Sequence, residues 1–124
     1  IKHQVLANST FAVSKSGTVS LEICNANIPL IIIYKINFLN YLIIKILVKI
    51  KYANIINIAA DQEIIPELLQ SKCNSKNIYE IVNKYLRSHS KIEEQVNKTQ
   101  LVLNSLKTNK PASELASQAL NKFL

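Results

Sequence analysis

The stretch Ser14-Lys15-Ser16-Gly17-Thr18-Val19-Ser20-Leu21-Glu22 holds the densest chemistry in this sequence. Gly17 is the only glycine in the chain, and it lies between a short apolar run, Phe11–Ser14, and residues at helical spacing. Glycine at a strand-to-helix turn lets a bound group approach the backbone closely. The helix that follows directs free N–H groups and the positive end of its dipole at whatever sits above the turn, which suits an anion. Ser16 and Thr18 add hydroxyl donors. Glu22 lies about one helical turn further on, and an ionised carboxylate, an acceptor only, matches two adjacent hydroxyls of a ribose. A turn for phosphate and a carboxylate for ribose make a nucleotide grip. The plainer alternative is an ordinary turn with Glu22 as a dipole partner, and these residues alone leave both open.

Other chemistries fit less well. A serine nucleophile at Ser16 would need glycine two residues before and two after, where the chain has Ser14 and Thr18. Cys24, Cys73, His3 and His89 are scattered and show no zinc spacing, so no metal or cofactor is expected and the cysteines read as buried or idle thiols. The net charge of +7 is fifteen basic residues against eight acidic ones, and Arg87 is the sole arginine. Nucleic-acid binding favours arginine, glycine and exposed aromatics along a basic stripe, and that pattern is missing. Asn8-Ser9-Thr10 and Asn97-Lys98-Thr99 match a glycosylation pattern by chance in so asparagine-rich a chain.

The elements that would position the turn follow from periodicity. Thr18–Ala26 carries Val19, Ile23 and Ala26 at helical spacing, Ile28-Pro29 ends it, and Leu30–Tyr34 is a β-branched run that reads as a strand buried on both faces. Strand, turn, helix and strand make a βαβ unit with a right-handed crossover. Helices are predicted over Asn37–Ile50, Gln62–Gln70, Ser75–Leu86, Ser90–Lys107 and from Pro111 onward, with Tyr52–Ala60 irregular or extended. Two parallel strands cannot bury themselves without neighbours. The fold class expected is therefore α/β, the later part of a Rossmann-like domain, with the remaining strands upstream of Ile1. Residues 1–110 form the partial domain and 111–124 a C-terminal helix.

From Ile23 to Ala60 the chain has no acidic residue, while Lys35, Lys45, Lys49 and Lys51 are present. On the Asn37–Ile50 helix, Asn37, Tyr41, Lys45 and Lys49 make one polar stripe beside a wide apolar face. Lysine stems beside such a face suit an anionic membrane surface. Burial inside the protein or an oligomer explains the same pattern. A spanning segment does not, because the uncharged stretches fall short of the roughly 18–20 residues a bilayer requires.

Several landmarks resemble one family in order and spacing. Ala12 to Glu22 looks like the Ser-Gly-Thr…Leu-Glu signature of lipid-A-disaccharide synthases. Ile28-Pro29 leading to Ile33-Tyr34-Lys35, then Val48-Lys49-Ile50-Lys51-Tyr52, then Asn57-Ile58-Ala59-Ala60 and Pro66-Glu67-Leu68-Leu69-Gln70 with Cys73 are similar to its later blocks. The resemblance implies a GT-B glycosyltransferase, two Rossmann-like domains across a cleft, of which this chain is the C-terminal, donor-nucleotide part. It implies transfer of diacylglucosamine from UDP to diacylglucosamine 1-phosphate, with inversion, at the cytoplasmic face of the inner membrane. The enzyme would be peripheral there, self-association is compatible, and no metal is required.

Carried over by position, Ser16, Gly17 and Thr18 would line the diphosphate and Glu22 would hold the ribose. Asn57 would orient the donor as the candidate catalytic group. Tyr34 and Lys35 would line the cleft, and Gln70 is a further candidate or an exposed helix end. Two departures stand out: Ile56 where many members have proline, and Asp61 where glycine is usual. The acceptor site and general base are expected outside this chain, which alone should be inactive. The alternatives are another UDP-sugar transferase of the same fold, or a non-enzymatic basic membrane-surface module.

Overall fold

The computed structural model describes residues 2–47 and 51–107. Its centre is a three-stranded parallel sheet in the order β1 (Ala12–Ser14), β2 (Leu30–Tyr34), β3 (Glu67–Leu69). Helices α1 (Lys2–Ala7), α2 (Thr18–Asn25), α3 (Phe38–Leu47), α4 (Ile55–Ala60), α5 (Ser75–Leu86) and α6 (His89–Leu106) surround it, with a 3-10 turn at Gln70–Lys72. The βαβ unit of β1, α2 and β2 is where the periodicity predicts it. Leu30, Ile31 and Ile32 are all buried, as a central strand covered on both faces requires. Each such side chain contributes about 1.5–3 kcal/mol by leaving water.

Leu30 and Ile32 point into the main core with Ile23, Cys24, Ile28, Ile56, Ile64 and Ile65, and Val102 and Leu103 of α6 pack against this cluster. In α5, Ile78, Ile81, Val82 and Tyr85 fall on one face at helical spacing and are half-buried, while Tyr79 is exposed.

Three expectations need correction. Residues 62–70 are not helical: Ile64 and Ile65 are buried, and the chain then enters β3. Pro66 has no N–H to give a helix, but its carbonyl accepts the Ile32 N–H at 2.9 Å and opens the parallel ladder. A third strand therefore lies within the chain, and β2 is central. Second, the segment Tyr52–Ala60 ends in α4, because the buried Asn54 side chain caps its start by accepting the Ile56 N–H at 2.8 Å. Third, helical spacing puts Ile92, Val96, Thr99, Leu103 and Leu106 on the inward face of α6; Thr99 is buried there, but Leu106 is exposed and Gln95, outside that pattern, is buried instead. Helix α1 has no counterpart in the sequence reading. The helix expected from Pro111 lies outside the described residues, as do Lys49 and the end of the Asn37–Ile50 helix.

Gln95 explains its own burial. The Ile32 N–H faces β3, so by the period-two alternation of a strand Leu30 and Ile36 present their backbone groups to the same side. β3 pairs only with Ile32 to Tyr34. Gln95 fills the rung before it, accepting from Leu30 N at 2.7 Å and donating to Leu30 O at 3.1 Å. Gln70, just past β3, fills the rung after it, accepting from Ile36 N at 2.8 Å and donating to Ile36 O at 3.0 Å.

Candidate functional site

All three strands run in parallel, so their C-terminal ends, Ser14, Tyr34 and Leu69, open on one edge. The turn Ser16-Gly17-Thr18, the pair Tyr34-Lys35 and Gln70 are thereby brought to that edge, where open α/β sheets bind ligands. Gly17 has φ 146° and ψ −168°, a conformation L side chains avoid, and a Cβ built on it would meet nothing within 4 Å. The α2 N-terminus has no side-chain cap. The Ser20 N–H turns back on Gly17 O at 3.1 Å, while Thr18 and Val19 are exposed at the start of the helix.

Ser16 serves differently from the expectation. Its hydroxyl donates to Ala53 O at 2.7 Å, so it ties the turn to the loop before α4 rather than offering its proton to a ligand. A second tie runs beneath it: the buried Ser20 hydroxyl donates to Gly17 O at 2.6 Å and accepts from Asn54 Nδ2 at 3.2 Å. The loop is held in turn by Glu67, whose carboxylate accepts from Ala53 N at 2.7 Å, Asn54 N at 2.9 Å and Asn57 Nδ2 at 2.9 Å.

Asn57 is wholly buried, and its side chain is fully engaged by the protein. Its Oδ1 accepts from Ile64 N and Ile65 N, both at 2.9 Å, and its Nδ2 donates to Ile65 O at 2.7 Å as well as to Glu67. Through these bonds Asn57 holds Glu67 and the approach to β3. Gln70 is likewise not an exposed helix end, since both its amide groups clamp Ile36. Glu22 is exposed on α2.

Beside Gln70 lies an open cleft of about 630 Å3, flanked by Lys35, Lys51 and Lys72 and by Tyr41, Tyr52 and Glu67. The Lys51–Asp61 pair at 3.4 Å is exposed on both sides and adds little. Lys15 lies 5.0 Å from the centre of the Tyr34 ring, a cation–π contact that joins the glycine turn to the end of β2. Among the described residues, no group of three or more His, Cys, Asp or Glu could hold a metal ion. Cys24 is buried among apolar side chains, and burial pushes its thiol up to about 11. It stays protonated at neutral pH and is unsuited to nucleophilic work.

Sequence reasoning missed Glu67, Asn54 and Ser20 as parts of the support. Asn54 carries a readable signal, an asparagine directly before an apolar run. Glu67 carries none, because its partners lie on a loop more than ten residues upstream.

Residues 1–123 match the family described as Lipid-A-disaccharide synthetase. The lipid-A-disaccharide synthase of Rickettsia canadensis (strain McKiel) is 41% identical over 118 residues, covering 94% of this chain and 31% of the relative. That of Rickettsia conorii is 41% identical over 103 residues, covering 83% of this chain and 23% of the relative. That of Rickettsia felis is 38% identical over 113 residues, covering 90% and 29%. The chain thus spans less than a third of the length of these curated relatives. With a family match over nearly its whole length, this chain belongs to the lipid-A-disaccharide synthetase family.

Proposed function

We propose that this chain is the donor-nucleotide part of a UDP-dependent glycosyltransferase of GT-B architecture. The reaction is transfer of diacylglucosamine from UDP to diacylglucosamine 1-phosphate. The observation that carries the reading is the open, uncapped α2 N-terminus at Gly17, set at the C-terminal edge of a parallel sheet. Amides of the first turn and the helix dipole stabilise the leaving diphosphate, an electrostatic role that is strongest as its charge develops. Gly17 and Thr18 form the contact, Ser16 keeps the turn in place through Ala53, and Glu22 holds the ribose. Tyr34 and Lys35 line the neighbouring cleft, Gln70 shapes its wall, and Asn57 acts through Glu67. No described residue is assigned as the general base.

The same reading places the protein peripherally at the cytoplasmic face of the inner membrane. Support comes from α3, whose Leu39, Leu42 and Ile43 are 63%, 42% and 47% exposed within a segment lacking acidic residues. Among the described residues, no helix is long and apolar enough to cross a membrane.

The test is a titration of the isotope-labelled chain with UDP, followed by amide NMR. UDP should shift the Gly17–Ser20 amides, uridine alone should not, and Glu22→Ala should weaken UDP binding about tenfold. Shifts confined to other surfaces, or a Glu22→Ala variant that binds UDP unchanged, would remove the diphosphate or the ribose assignment respectively.

A further inference from the structure

Lys15 stands directly before the Ser16-Gly17-Thr18 turn and is exposed at the C-terminal edge of the sheet. Its Nζ lies 5.0 Å from the centre of the Tyr34 ring, within the range at which an aromatic face holds an ammonium. Strand pairing sets the two side by side: Ser14, the last residue of β1, pairs with Ile32, two residues before Tyr34. The other cations at this edge are placed differently. Lys35, Lys51 and Lys72 flank a cleft that Glu63 and Glu67 also line, and Lys51 pairs with Asp61. Among the described residues, ion pairs join Lys51 to Asp61, His89 to Glu93 and Lys98 to Glu94, and none includes Lys15.

The positive charge of Lys15 is thus met by a ring face and not by a carboxylate. At an exposed site such a contact is weak, and a charge-assisted bond to a phosphate oxygen is stronger. Lys15 is two residues from Gly17, so their Cα atoms lie within about 7 Å, and a flexible four-carbon stem can carry the ammonium over the turn.

We propose that Lys15 is a diphosphate-binding residue of the donor site and that the Tyr34 ring is its alternative partner. The ammonium leaves the ring face for the diphosphate at Gly17, where it adds a full positive charge to the partial charge of the α2 start. The helix start fixes the anion's direction, and the lysine, a mobile point charge, answers its net charge. The inference deepens the donor-site reading and rests on it for the identity of the anion. It also gives Tyr34 a second role, since its ring keeps Lys15 beside the turn.

The experiment titrates the full isotope-labelled chain with UDP and with uridine. An aromatic face moves the protons above it upfield. The Lys15 ε-CH2 protons should therefore begin upfield and reach the ordinary lysine position as UDP saturates. Tyr34→Leu should remove the initial upfield shift, and uridine, without phosphate, should leave it in place. Lys15→Gln should weaken UDP binding about tenfold, whereas Lys15→Arg, which also stacks on rings and binds phosphate, should stay within about threefold of the parent. Lys84→Gln makes the same charge change on the exposed last turn of α5 and should leave UDP binding unchanged. Lys15 is exposed and lies outside helix and strand, so its variants keep the fold.

Lys15 protons that stay upfield at saturating UDP, or a Lys15→Gln variant that binds UDP as the parent does, would overturn the proposal. The diphosphate reading would survive either result if the Gly17–Ser20 amides still shift. Equal loss in Lys84→Gln and Lys15→Gln would overturn it in favour of general charge attraction. Movement of Lys15 with the Gly17–Ser20 amides unmoved would sink the α2 reading, and Lys15 would survive it as an anion contact.

Discussion

Two helix N-termini lie side by side at this sheet edge, joined by the Ser16–Ala53 and Ser20–Asn54 bonds, and the protein treats them in opposite ways. At α4 the orphan donors are answered from within: Asn54 caps Ile56, and the Glu67 carboxylate supplies the negative charge that the helix end favours. At α2 the cap position is a glycine with no side chain to give, in a backbone conformation that leaves the space above it clear. The filled end shows that this chain can saturate a helix start where one is needed. The open end is the one we propose for the diphosphate, and its neighbour is the fixed point that holds it in register.

The comparison is broken most severely at the filled end. Asn57→Ala should cost about 3–5 kcal/mol in urea unfolding, since it strips the partners from two buried amides and loosens Glu67. A loss below about 1 kcal/mol would mean that the support is redundant.

The buried end of α2 comes next. Cys24 ionises near 9.0 in the ordinary case and near 11 in the fold. The raised value stabilises the folded state fully below about pH 9 and ceases to do so as pH passes 11, a loss of roughly 2–3 kcal/mol. Cys24→Ala should remove that part of the alkaline slope, and an unchanged slope would assign it to other groups.

At the open end, Gly17→Ala should cost about 1–2 kcal/mol from backbone strain and abolish the UDP-induced shifts, while α4 stays capped. The smallest change sharpens the contrast from the far side of α4. Asp61 ends that helix in a left-handed conformation, φ 45° and ψ 34°. Asp61→Gly should therefore raise stability by about 0.5–1 kcal/mol, little offset by the exposed Lys51 pair.

The open end is legible in the sequence, and the filled end only at its Asn54 cap. Gly17 is a singular residue in a local strand–turn–helix pattern, and neighbours in the chain suffice to read it. The support at Glu67, Asn54 and Ser20 is assembled from segments more than ten residues apart, so the local pattern announces the Asn54 cap but not the partners that hold it. The same distinction separates Leu30–Tyr34 from Glu67–Leu69. The first strand is apolar along its whole length. The second is three residues long, follows a proline and carries a glutamate, so periodicity assigned it to a helix. Asp61 is the converse case: its departure from the family pattern marked a doubtful turn, and the turn forms with an aspartate tolerating the left-handed shape.

The two glutamines that flank β3 have a consequence for how the sheet opens. β3 covers three residues of β2, yet side chains from Gln95 and Gln70 close the rungs on either side, at Leu30 and Ile36. In hydrogen–deuterium exchange, the amides of Leu30, Ile32 and Ile36 should be slow although only the middle one faces a strand. Leu30 should open together with α6, which carries Gln95, and Ile36 with the 3-10 turn, which carries Gln70. The central strand thus reports on two distant parts of the chain at once, and exchange at its two ends would separate unfolding of the scaffold from loosening of the sheet's C-terminal edge.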